Sequence, residues 1–107
     1  MALFALSAGQ ACAEQYKCAE DVADRSIWCF ASSAVTAKGD VRAADVFTGG
    51  PKEIHPSGYT ATVNCTLRTL ELTDRRGVLL LGGPPRTQQG RDFVRYLCEH
   101  TPARGGK

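Results

Sequence analysis

The residues that could do chemistry in this chain of 107 are five cysteines, two histidines and a few hydroxyls. The cysteines are Cys12, Cys18, Cys29, Cys65 and Cys98. A thiol-exchange enzyme needs a cysteine of low pKa, usually within C-x-x-C, and a structural zinc site needs similarly short cysteine knuckles. Neither pattern occurs. His55 stands alone between Ile54 and Pro56 and reads as a solvent-facing residue rather than a base or a metal ligand. His100 follows Cys98 closely, as a thiol–imidazole pair would. A bridged cysteine beside a helix-end histidine favoured by the helix dipole accounts better for the pair. Ser32 and Ser33 lack the Gly-x-Ser-x-Gly setting of a nucleophile elbow. Gly82-Gly83-Pro84-Pro85 lacks the Lys-Ser/Thr of a phosphate loop. The sequence therefore predicts no catalytic residue, no metal and no cofactor, and a protein that is not an enzyme.

The cysteines make more sense as a framework. Residues 1–13, MALFALSAGQACA, are apolar from Ala2 to Ala8 and end in Ala11-Cys12-Ala13, the small-x-small pattern that signal peptidase recognises. The segment reads as the C-terminal part, or the whole, of a secretory signal peptide. Cleavage after Ala13 removes Cys12 and leaves Cys18, Cys29, Cys65 and Cys98. An even set in a small exported domain is a disulfide framework, and four cysteines allow three pairings.

Composition narrows the function. The chain is 43% hydrophobic and 22% charged, an ordinary globular mix, so it is neither disordered nor collagen-like. A net charge of +2 is too small to imply nucleic acid as a partner. No apolar run is long enough to span a membrane.

The elements that must position these residues form a meander and one helix. A short strand is expected around Tyr16–Cys18. Residues 26–37 and 41–48 read as a hairpin turning at Gly39. Trp28 beside Cys29 reads as core packing. Residues 49–58, GGPKEIHPSG, read as a loop. From Tyr59 to Arg68 the apolar residues alternate at period two, with Ala61, Val63 and Cys65 on one face. The apolar phase then moves to Leu70 and Leu72, which a bulge near Arg68–Thr69 would explain within a single strand over 59–72. Asp74–Gly77 is a turn and Val78–Leu81 a short buried strand. Thr87 is a good N-cap for a helix whose apolar face is Phe93, Val94, Leu97 and Cys98. The fold class is α+β: an antiparallel β-meander sheet with one C-terminal helix packed on it. A single domain is expected over 14–101, with a flexible tail at 102–107. Cys65 on the strand face and Cys98 on the helix face would pin helix to sheet, leaving Cys18 to pair with Cys29. In the chain-entropy model the longer bridge contributes roughly 3–4 kcal/mol.

The stretch Tyr59–Cys98 resembles the C-terminal half of the surface-adhesin protein E family, small exported proteins of Gram-negative bacteria. The resemblance lies in Asn64-Cys65 followed by Arg68, in Asp74 with Gly77 in the next turn, and in a helix ending in Leu97-Cys98. Asp24-Arg25-Ser26-Ile27 is similar to an Asp-x-Ser-Ile stretch in the family's first half. The resemblance implies an antiparallel sheet with a C-terminal helix, a Cys65–Cys98 bridge, export to the periplasm or cell surface, and binding of a macromolecule. The alternative reading is a periplasmic hydrolase inhibitor or a minor thiol-exchange protein. The expected contact surface for a protein partner is the 49–58 loop, with Lys52 and His55, and Tyr59 at its base. Prolines restrict such a loop and lower the entropic cost of ordering it.

Protein recovered after export is expected to begin at Glu14. Intact-mass measurement of the periplasmic fraction checks this, and retention of Met1 would refute the signal reading.

Overall fold

The computed structural model describes residues 15–23, 25–50 and 53–100. Seven strands form one antiparallel sheet: β1 (Tyr16–Glu20), β2 (Ile27–Ala31), β3 (Thr36–Lys38), β4 (Val41–Gly50), β5 (Glu53–Asn64), β6 (Thr69–Thr73) and β7 (Leu79–Leu81). One helix, α1 (Gln88–Glu99), packs on it. The order across the sheet is β1-β2-β4-β5-β6-β7, and β3 also pairs with β4. β2 lies beside Phe47–Gly49 and β3 beside Val41–Ala43, so the two share β4 as a partner, with a 3-10 turn at Ser32–Ala34 between them. This is the expected meander with a C-terminal helix. The expected signal segment and tail lie outside the described residues.

Local chemistry explains the elements. Gly39 takes φ +59° at the β3–β4 turn, a region glycine enters without steric cost. The Arg42 guanidinium donates to the carbonyl of Gly39 at 2.9 Å and of Val41 at 3.2 Å. At the start of α1 the Thr87 hydroxyl accepts a 3.0 Å bond from the Gly90 amide, as an N-cap should.

The core lies between α1 and one face of the sheet. Register sets Ala44 opposite Ala61, Ala61 opposite Leu72, and Val63 opposite Leu70, and all five are buried. From the helix, Phe93, Val94 and Leu97 are buried against them. The Phe93 ring stands edge-on to Phe30 at 5.7 Å and to Trp28 at 5.9 Å. Gln89 is the polar member, donating to the backbone carbonyls of Ala19 at 3.1 Å and Ser26 at 3.2 Å. Cys18 and Cys29 face each other across β1 and β2 and are bonded. Cys65 and Cys98 form the second bridge.

Three expectations are corrected. The chain reverses at Cys65–Arg68, so 59–72 is a hairpin of β5 and β6 and not one bulged strand. Reversal alone explains why the apolar phase changes. Cys65 consequently sits in a turn rather than on a strand face. The 49–58 segment is no loop: Gly49 pairs with Ile54 and Thr48 with His55 in a β4–β5 hairpin. Val78–Leu81 is not buried, because each of these residues is exposed at the rim of the sheet.

Gly90 shows how tightly the helix start is seated. A Cβ there would lie 2.9 Å from Cβ of Pro85 and 3.3 Å from Oγ1 of Thr87. Alanine gains about 1 kcal/mol in helix propensity, but overpacking costs about 1–3 kcal/mol. Gly90→Ala is therefore expected to lower Tm in thermal denaturation. An unchanged or raised Tm would show that the first turn shifts freely from Pro85.

Candidate functional site

The expected contact residues fall on the β4–β5 hairpin. Its register jumps from Val46 opposite Tyr59 to Phe47 opposite Pro56, leaving Ser57 and Gly58 as a bulge. The Ser57 hydroxyl donates to the Val46 carbonyl at 2.6 Å and accepts from the Tyr59 amide at 3.1 Å, so the bulge satisfies groups the ladder leaves unpaired. Gly58 takes φ +86°, and the Arg75 guanidinium lies alongside, its Nε 3.6 Å from where a Cβ would be, an ordinary contact distance. Within β5, β6 pairs with Thr60–Asn64 only, so among the described residues 53–59 form a free edge. Pro56 belongs on such an edge because it has no amide to donate.

Tyr59 is 40% exposed. It borders a shallow cavity of about 260 Å3 with Asp45, Phe47, Pro56, Thr60 and Arg75. The structure thus brings Tyr59 and Arg75 together. His55 is exposed further along β5 and does not line this cavity. Lys52 lies outside the described residues. Phe47 meets Tyr16 edge-on at 5.1 Å, giving the hairpin an aromatic anchor to β1.

A larger cleft of about 390 Å3 lies elsewhere, lined by Arg68, Pro84, Pro85, Arg91, Val94 and Arg95. Three separate pieces of chain build it. Arg68 ends the β5–β6 turn with a left-handed φ of +57°. That turn is held by the Leu67 amide on Asn64 Oδ1 at 2.9 Å, the Thr66 hydroxyl on Asp40 Oδ2 at 2.5 Å and the Cys65 amide on the Asp40 carbonyl at 2.8 Å. The Cys65–Cys98 bridge ties the same turn to α1. Arg91, Val94 and Arg95 share one helix face, being three and four residues apart. Pro84 and Pro85 form the wall between them, and their connector is tied down by the Leu70 amide on the Gly83 carbonyl at 3.0 Å.

The cleft is cationic over an apolar floor. Among the described residues that line it there is no carboxylate and no nucleophile, general acid or base. Arg68 has no ion-pair partner among the described residues. The nearest helix acid, Asp92, is shared between Gln88 Nε2 at 2.9 Å and Arg95 at 3.5 Å. Arg95 lies over the Tyr96 ring at 5.1 Å. Its hydrogen bond to the Tyr96 side chain is the leading cause that raises its pKa above the ordinary arginine value, so the charge is permanent. Among the described residues no group of three His, Cys, Asp or Glu side chains gathers as a metal site.

Sequence reading missed this cleft. In the sequence Arg91 and Arg95 simply fall off the apolar helix face of Phe93, Val94, Leu97 and Cys98. The one available signal was their one-turn spacing, and nothing local places Arg68 beside them. No protein-family model, no curated protein and no solved structure matches this chain.

Tyr59→Ala is expected to cost less than about 1 kcal/mol of stability, the range for surface positions. Phe93→Ala should cost about 3–5 kcal/mol. Urea denaturation of both variants checks this, and equal losses would place Tyr59 in the core.

Proposed function

We propose that this chain is an exported, non-enzymatic binding protein of the periplasm or cell surface. In this reading it holds an anionic group of a macromolecular partner in the Arg68–Arg91–Arg95 cleft. The observation that carries it is three arginines lining one cleft over an apolar floor, where among the described residues no carboxylate belongs to the lining and only Arg95 has an ion-pair partner, Asp92. Arginine suits the task, because its planar fork binds carboxylates in pairs of hydrogen bonds and stays charged. Export is supported by two disulfides, which persist in oxidising compartments. No helix among the described residues is long and apolar enough to cross a membrane. The surface-adhesin resemblance of the sequence points the same way, toward recognition at the cell envelope.

The cleft makes a definite prediction about pH and salt. A guanidinium is an always-charged partner in proteins, so the pH dependence is expected from the carboxyls of the ligand. A hexaglutamate peptide, titrated calorimetrically at low salt, is expected to bind at neutral pH. Binding should fade as pH drops toward about 4, where the ligand carboxyls protonate, and should weaken as salt is added. The double variant Arg68→Gln/Arg91→Gln should lose most of the affinity while keeping its Tm. Equal binding by this variant, or no binding by the native protein, overturns the reading.

A further inference from the structure

The arginine cleft is one half of a larger surface. Pro84 and Pro85 form its wall, and on their other side lies a second cavity of about 180 Å3. That cavity is lined by Trp28, Leu70, Leu81, Pro84 and Pro85, with Arg86 and the first turn of α1 at its margin. It opens beside the last strand of the sheet. There Val78, Leu79, Leu80 and Leu81 are between 43% and 55% exposed, an apolar run with no charge or proline within it. Sheet edges are ordinarily protected by such residues, and a contiguous apolar run left open at an edge marks a contact surface.

Two features define what would cover it. The first is the shape of β7. Leu72 pairs with Leu81 but Thr73 pairs with Leu79, so Leu80 is an extra residue at a bulge. A bulged strand of three residues is a poor template for a further hydrogen-bonded strand. Recognition there is by side chains, with the Trp28–Leu81–Pro85 cavity receiving one apolar group. The second feature is charge. Arg86 borders this cavity, and Arg68, Arg91 and Arg95 lie just beyond Pro84–Pro85. The first turn of α1 contains no acidic residue to offset the positive end of the helix dipole. A second copy of this chain would bring its own arginine-rimmed patch against this one. The complementary occupant is acidic.

We infer that the Leu79–Leu81 ridge, the Trp28–Leu81–Pro85 cavity and the arginine cleft form one docking surface. Its occupant is a partner-protein segment that sets an apolar anchor residue within a few positions of Asp or Glu. The anchor fills the cavity beside Leu81, and the carboxylates reach over Pro84–Pro85 to Arg68 and Arg91. This inference rests on the anion-binding reading of the cleft and adds the apolar half of the specificity.

The test uses the full disulfide-bonded protein and a displayed library of random twelve-residue peptides. Enriched peptides are expected to combine a Leu, Ile, Phe or Trp anchor with neighbouring Asp or Glu. Measured by fluorescence anisotropy, their affinity should fall at least tenfold in Leu81→Lys and in Leu80→Lys. Both positions are exposed, so both variants should keep the native Tm. Affinity should fall comparably in Arg68→Gln/Arg91→Gln and remain unchanged in Tyr59→Ala. Peptides sensitive to the arginine changes but indifferent to the leucine changes overturn this inference and leave the cleft reading standing. Peptides indifferent to both sets overturn both. No enrichment, or enrichment of apolar peptides without acids, overturns the inference. So does a concentration-dependent dimer that Leu81→Lys abolishes, which would make a second copy the occupant.

Discussion

Phe93 packs edge-on against Phe30 and Trp28, and its burial requires that α1 stay on the sheet, with no other α-helix among the described residues to trap it there. A chain this small removes too little surface from water for packing alone to leave a wide margin. The structure answers by fixing α1 along its length. Near its start, Gln89 hydrogen-bonds to the backbones of residues 19 and 26. At its end, Cys98 is bonded to the β5–β6 turn. Between them Lys17 lies over the Tyr96 ring at 4.4 Å, joining β1 to the helix. Two of the ties reach β1 and the third reaches the β5–β6 turn, so tilting the helix breaks at least one.

The same ties explain why cationic groups come together on a protein of nearly balanced charge. Arg91 and Arg95 are brought over the sheet only because α1 is held there. Arg68 joins them because its turn shares a covalent bond with the helix. Pro84 and Pro85 stiffen the wall, and Gly90 lets the helix start press against it. The positions that secure the fold and the positions that face the cleft are therefore interleaved along α1, buried Phe93, Val94 and Leu97 alternating with Arg91 and Arg95.

Much of this was legible in the sequence, and the failures have physical causes. The helix was readable because Thr87 caps it and Phe93, Val94 and Leu97 repeat at helical spacing. The Gly39 and Asp74–Gly77 turns were readable because glycine marks them. The turn at Cys65–Arg68 was not, since it uses no glycine or proline. It is closed by the Asn64 side chain and by contacts with Asp40, far away in sequence, while Arg68 takes a left-handed conformation unusual for its type. In 49–58 the error ran the other way. Its glycines and prolines signalled a loop, yet Gly58 serves a bulge and Pro56 a free edge. Val78–Leu81 looked buried because apolar runs usually are, and no local pattern tells a central strand from a rim. The cleft was illegible for a related reason: its residues are scattered from 68 to 95 and meet only through the tertiary fold.

The Cys65–Cys98 bond closes a covalent ring, and the arginine cleft, the leucine ridge and α1 all lie between its ends. A protease that cut once within that ring, at the exposed Arg75-Arg76 tip for instance, would not separate the two parts. The new ends would remain tethered, and the surface would persist as a nicked but undivided molecule. The β4–β5 hairpin enjoys no such insurance, because it lies outside both disulfide rings. A single cut there leaves the N-terminal strands attached only by their sheet hydrogen bonds and side-chain contacts. Durability is thus distributed unevenly, and the segment that bears all of the proposed docking surface except Trp28 is the one that can be nicked and still be one piece.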